Sequence, residues 1–208
     1  IGDQPSIMAL HAGVLFRLAQ VSDAIELAER ALRVNPAEES ATLMLAAAML
    51  QDGDPERALH YVQQGKAAAE PSLPLLLMQV KVAQTLGDIK QAKDAYLEAI
   101  AMDPQNISLR LRLVDFYLQQ FDTESAERVM REVVDLNFED ENALNRLLAL
   151  INQTRGIEAA LTEIDSRISA QPENTELRFT QVELLELAAE PERAVSVLEK
   201  VAAEAPDQ

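Results

Sequence analysis

The chain has 208 residues, with 35 acidic side chains against 18 basic ones and a formal charge of −17. A chain so negative lacks the basic stripe that displaces counterions from nucleic-acid phosphates, and anionic membranes repel it. It has no cysteine and only two histidines, His11 and His60, so disulfides, thiolate nucleophiles and cysteine-ligated zinc are excluded and a histidine metal site has little to build from.

The composition, 48% hydrophobic and only 4% aromatic with no tryptophan, belongs to a chain that folds, and its Ala and Leu are helix formers. In chain order, the first clear element is a helix through Asp23–Leu32, which stops at Asn35-Pro36. Proline lacks the N–H and clashes with the preceding turn, so it cannot continue a helix. The next break is Asp52-Gly53-Asp54-Pro55, where Pro55 suits a first helical turn. Leu75, Leu76, Met78, Gln79, Val82, Ala83 and Leu86 then form a helical stripe, ended by Gly87-Asp88. A further helix runs from about Lys90 to Met102 and stops at Asp103-Pro104. Later breaks fall at Gln120-Phe121-Asp122, Thr154-Arg155-Gly156 and Ala189-Glu190-Pro191. No β-branched alternation of useful length appears, so no strand is placed.

These elements repeat. Ala24, near the start of the first clear helix, recurs as Ala58, Ala92, Ala126, Ala160 and Ala194, each 34 residues on. The terminal proline recurs as Pro36, Pro104, Pro172 and Pro206, with Glu70 and Phe138 in the two remaining slots. Six units follow, at about 5–38, 39–72, 73–106, 107–140, 141–174 and 175–208, each expected to hold two helices. The recurring alanine has a packing reason: helices joined by a short turn approach closely, and Ala permits this at lower helix cost than Gly. Larger slots supply the fill. They are Leu15, Met49, Ala83, Tyr117, Ile151 and Leu185 on first helices, and Ala28, Val62, Tyr96, Met130, Ile164 and Leu198 on second helices. No single hairpin buries both its apolar faces, so the units are expected to stack on a continuous core.

The chain resembles the tetratricopeptide repeat family. The resemblance rests on the 34-residue period, the small residue opening the second helix and a second small residue seven later, as in Ala24/Ala31, Ala58/Gly65 and Ala92/Ala99. The third unit, with Leu86-Gly87-Asp88, Gln91-Ala92, Tyr96, Ala99 and Asp103-Pro104, fits best. Departures are Met8, Thr42, Leu76, Arg110, Leu144 and Arg178 where an early aromatic is expected. In the last three units Val133, Arg167 and Val201 replace the second small residue. The resemblance implies one array over 1–208: an all-α, right-handed α-solenoid (superhelix) of six antiparallel helix pairs. It implies a non-catalytic scaffold whose concave groove, lined by first helices, takes a peptide or helix of a protein partner, with no cofactor and no metal.

On the family's geometry, the groove carries an apolar lane of Phe16, Leu43, Leu50, Leu77, Leu111 and Leu118, with Lys81 beside it. Asn142, Asn145 and Asn152 form an amide patch in the fifth unit, and Phe179 with Glu176, Glu183 and Glu186 an acidic lip in the sixth. Amides both donate and accept, so they can clamp a bound backbone, although a solvated polar face is the plainer reading. Members of the family that grip a carboxylate terminus use Lys, Arg and Asn. Here Ala9, Gly13, Met44, Pro74 and Met78 occupy such places, so that clamp is not expected.

Other chemistry reads as structure. Asp52-Gly53-Asp54 lacks the later ligands of a calcium loop and suits a tight turn. The six glycines are scattered and form no phosphate loop. His11 and His60 are expected to be partly buried helix residues. No apolar run approaches the roughly 18 residues of a membrane span, and nothing resembles a signal peptide. With 13 Arg to 5 Lys, the expectation is a soluble protein from a high-GC bacterial gene, in cytoplasm or periplasm. The chain opens on Ile1, as expected of a piece of a longer protein. Its last helix, with Val195, Val197, Leu198 and Val201, has no polar cap after it, which suggests further repeats or self-association through the array's ends.

Overall fold

A computed structural model describes residues 4–137 and 140–204, with the backbone alone at 204. Among them are twelve α-helices: α1 (Pro5–Arg17), α2 (Val21–Val34), α3 (Glu39–Asp52), α4 (Pro55–Ala68), α5 (Leu73–Leu86), α6 (Ile89–Met102), α7 (Ile107–Gln119), α8 (Thr123–Leu136), α9 (Glu141–Arg155), α10 (Ile157–Ala170), α11 (Thr175–Leu187) and α12 (Pro191–Glu204). First helices begin every 34 residues, and the fold is an all-α solenoid of consecutive helix pairs. Phe138 and Pro206 lie outside the described residues.

The turn inside five of the six pairs is set by one backbone device. A residue with positive φ ends the first helix: Ala19 (60°), Gly53 (78°), Gly87 (72°), Phe121 (59°) and Ala189 (58°). The next N–H then reaches five residues back, Gln20 to the carbonyl of Leu15, Asp54 to Met49, Asp88 to Ala83, Asp122 to Tyr117 and Glu190 to Leu185. This is the Schellman closure of a helix end. Where that next residue is aspartate it also caps the second helix. Asp54, Asp88 and Asp122 accept from the N–H groups of Arg57, Gln91 and Ser125. The fifth unit differs: α9 runs on through Arg155, and only Gly156 breaks the chain, at φ 87°.

The chain divides into two compact units, Ile1–Leu109 and Arg110–Gln208. In the first, Ala24, Ala28 and Ala31 of α2 share one buried cluster with Ala41, Leu45 and Ala48 of α3, and with Val62 of α4 and Leu75 and Val82 of α5. Small residues here permit close approach. A Cβ at Gly65 would sit 2.9 Å from Thr42 Cγ2, nearer than real packing allows. In the second unit, Leu113, Met130, Leu147, Leu148, Ile151, Leu161, Ile164 and Leu185 are fully buried. The recurring alanine is buried at all six positions.

Two expectations need correction. His11 and His60 are exposed, because both fall on the outward side of their helices. Leu198 is 42% exposed, although its counterparts Ala28, Val62, Tyr96, Met130 and Ile164 are buried, since no described helix covers that side of α12.

Candidate partner-binding surface

First helices of neighbouring pairs touch within the first unit, α1 with α3 and α3 with α5. Phe16, Leu43 and Leu50 are half-buried there and pack against the core cluster. Leu77 packs against Leu76, Ala99 and Leu109, while Lys81 is exposed. These leucines thus divide their surface between core and outer face. Phe16, Leu43, Leu50 and Leu77 are thus partly committed to the core and partly exposed.

In the second unit the face is more polar. Leu111 is half-buried and Leu118 is 36% exposed. Arg146 of α9 lies 3.7 Å from Asp115 of α7, an exposed pair of little energetic weight. Beside it α9 and α11 bound a cleft of about 220 Å³, lined by Asn145, Leu148, Ala149, Asn152, Thr180, Glu183, Leu184 and Leu187. The buried Leu148 and Leu184 contribute its apolar lining and the two amides and Glu183 its polar groups. The structure therefore brings Asn145 and Asn152 together. Asn142 and Phe179 are exposed and do not line the cleft.

A second cleft lies on the other helix set and was not foreseen from sequence. It measures about 610 Å³ and lies between α2 and α4, lined by Glu29, Leu32, Arg33, Pro36, His60, Tyr61, Gln64, Ala67 and Ala68. Tyr61 donates its hydroxyl to Glu29 across it at 3.0 Å. Burial, then the hydrogen bond and charge of Glu29, raise the Tyr61 pKa, and Arg57 pulls the other way.

That bond belongs to a series. Second helices are tied to the next second helix by side chains 32 residues apart: Tyr61–Glu29, Lys66–Glu98 at 2.8 Å, Arg131–Glu163 at 2.9 Å and Arg167–Asp135 at 3.2 Å. In the second unit the ties merge around Glu127, which is 4% exposed. Its Oε1 accepts from the Thr154 hydroxyl at 2.7 Å, and its Oε2 from Arg131 and Arg155 at 3.3 Å each. Burial works against the charge on Arg131, but Glu163 and Glu127 outweigh it and raise its pKa. The signal for these ties was present in the sequence as opposite partners one repeat less two residues apart.

Among the described residues no cluster of three or more His, Asp or Glu is placed to hold a metal. Among the same residues no helix is long and apolar enough to cross a membrane.

Comparison with known proteins bears on what such a surface belongs to. The tetratricopeptide repeat profile matches residues 83–151, and that of anaphase-promoting complex (cyclosome) subunit 3 matches 17–99. No curated protein matches the sequence. Among solved structures, a tetratricopeptide repeat protein from Parabacteroides merdae superposes with a TM-score of 0.62 at 17% identity, over 98% of this chain and 80% of that one. YrrB, a TPR protein with an unusual peptide-binding site, gives 0.58 at 14% identity, over 86% and 92%. Pseudomonas aeruginosa pilF gives 0.57 at 16% identity, over 98% and 93%. At such identities the likeness is one of fold. The family profile within the array, the helix pairs at their 34-residue spacing and the shared fold together support a tetratricopeptide repeat protein.

Proposed function

We propose that the chain is a non-catalytic interaction scaffold that holds a segment of a partner protein against its first helices. Tetratricopeptide repeats commonly bind protein partners, and that much follows from the family. The particular surface is argued from one observation. Asn145 and Asn152 line the α9–α11 cleft, and no side-chain hydrogen bond joins either amide to another described residue. An amide offers a donor pair and an acceptor, the complement of a peptide group. With Leu148 and Leu184 between them and Glu183 at the rim, they suit an extended segment with an aliphatic side chain beside a basic one. Asn142 and Phe179 extend this surface in the second unit, as Leu111 and Leu118 do on α7. In the first unit Phe16, Leu43, Leu50, Leu77 and Lys81 supply an apolar strip for the same class of ligand.

The test is selection of binders from a random linear-peptide phage library on the immobilised chain, repeated on an Asn145→Ala/Asn152→Ala variant. Gln64→Ala, on the α2–α4 cleft, is the control. The reading expects enriched peptides, rich in Lys or Arg, that the double variant loses and the control keeps. Peptides held equally by both variants, or lost only with Gln64→Ala, overturn it.

A further inference from the structure

Set side by side, the junctions between successive second helices differ in how their slots are tied. Between α8 and α10 two side-chain pairs cross, Arg131 with Glu163 at 2.9 Å and Asp135 with Arg167 at 3.2 Å. Three repeats earlier, between α2 and α4, those slots hold Glu29 with Tyr61 and Arg33 with Gly65. The first pair bonds at 3.0 Å. The second cannot, because Gly65 has no side chain, and Arg33 stays 64% exposed, 4.0 Å from Glu29 of its own helix. Between α4 and α6 another pair crosses, Lys66 with Glu98 at 2.8 Å. Its counterpart between α2 and α4 is Leu32 with Gln64, and Gln64 turns instead to His60 on its own helix. The result is the cleft of about 610 Å³, walled by Leu32, Pro36, Ala67 and Ala68. A cavity of about 150 Å³ accepts a benzene ring, so this one has room for an aromatic side chain and the backbone that carries it.

Phe121 is such a side chain without a place in its own fold. It stands 90% exposed in the left-handed turn between α7 and α8, at φ 59°. The same slot in the other units holds Ala19, Gly53, Gly87, Arg155 and Ala189, so none of them puts an apolar group larger than a methyl there. Left-handed strain and an aromatic ring in water both cost stability, and strain of this kind collects at functional sites. Charge agrees with shape. Two exposed carboxylates, Asp122 and Glu124, follow the ring, and 120–124 carries no cation. At the cleft Arg33 lines the wall and Arg57 stands beside Tyr61, while Glu29 is turned to the Tyr61 hydroxyl.

We infer that Phe121 of one copy of this chain seats in the α2–α4 cleft of a second copy, with Asp122 and Glu124 toward Arg33. The knob and the hole lie on different parts of the chain, so the contact is heterologous. One aromatic anchor in an apolar pocket with opposite charge at its edge makes a small, reversible contact rather than a permanent assembly.

The test is sedimentation velocity with light scattering on the whole 208-residue chain, from micromolar to millimolar concentration. Physiological ionic strength, with a Debye length of about 8 Å, limits repulsion between like-charged copies. Phe121→Gly removes the knob at a turn that suits glycine, and Ala67→Glu fills the hole from an exposed position. Neither threatens the fold, as circular dichroism will confirm. The wild type is expected to gain mass with concentration. Each variant alone is expected to associate on the order of 30-fold more weakly, the loss of an aromatic hot spot. Mixed in equal amounts, the two variants retain one intact knob and one intact hole, and are expected to form a dimer of one of each and nothing larger. Leu198→Glu, on α12 and outside this contact, is expected to associate as the wild type does. A wild type that is monomeric throughout, a knob or hole variant that associates as it does, a mixture that stays monomeric, or loss of association in Leu198→Glu overturns the inference.

Discussion

Arg131 on α8 donates to Glu163 on α10 at 2.9 Å while also holding the buried Glu127, so one guanidinium ties two successive second helices to each other. Through Glu163, Arg167 and Asp135 the same network spans both helices again. A scaffold that presents first helices to a partner needs its second helices fixed, and in the second unit this network fixes them.

Removing Arg131 leaves Glu127 buried with only Thr154 and Arg155 to answer its charge. Arg131→Met is expected to destabilise the protein by about 1.5 kcal/mol, less than the loss of a fully buried pair because Arg131 is a third exposed and Thr154 and Arg155 still answer Glu127. Adding Glu127→Gln restores part of the loss. Urea denaturation of the two single variants and the double variant measures the coupling, and strict additivity counts against the network.

Phe121 holds a left-handed backbone with its ring 90% exposed, so its side chain gives little in return for the strain. Phe121→Gly is expected to stabilise by about 1 kcal/mol, the left-handed penalty of a residue with a Cβ. Ala19→Gly and Ala189→Gly act in the same direction. A thermal melt that moves down for all three contradicts the turn assignment.

At Gly65 the neighbouring Thr42 is itself buried, so there is no room to give. Gly65→Ala is expected to lower stability despite the better helix propensity of alanine. Pairing it with Thr42→Ser, which removes the opposing methyl, recovers most of the loss, as chemical denaturation will show.

Tyr61 and Tyr117 both have pKa values above the ordinary 10.0, chiefly through burial. A group that holds its proton more tightly when folded contributes stability that is complete below pH 10.0 and disappears as the pH rises through its folded pKa. The protein should therefore lose stability above pH 10. Tyr61→Phe and Tyr117→Phe should each remove one late-titrating phenol from the ultraviolet titration of the native chain. A native titration that matches the unfolded one contradicts this.

The 34-residue recurrence of Ala24 and its counterparts makes the helix pairs legible in the sequence, because a small residue at every close crossing is a local demand. The αL turns were half legible: Gly53 and Gly87 announce them, whereas Ala19, Phe121 and Ala189 adopt the same conformation with no glycine to signal it. Asn145 and Asn152 were legible as a patch because seven residues on a helix is two turns. Their shared cleft with Thr180 and Glu183 depends on how α11 packs on its neighbours, which periodicity does not specify. The α2–α4 cleft was not legible because Tyr61 and Glu29 meet only through the stacking of second helices.

The most direct test of a first-helix binding face is amide hydrogen exchange on the chain saturated with a peptide from the phage selection. The account predicts that added protection falls on α9 and α11 around Asn145, Asn152 and Glu183, and leaves α8 and α10 unchanged. Protection confined to second helices, above all to α2 and α4 around Tyr61, would contradict it and place the binding surface on the opposite helix set.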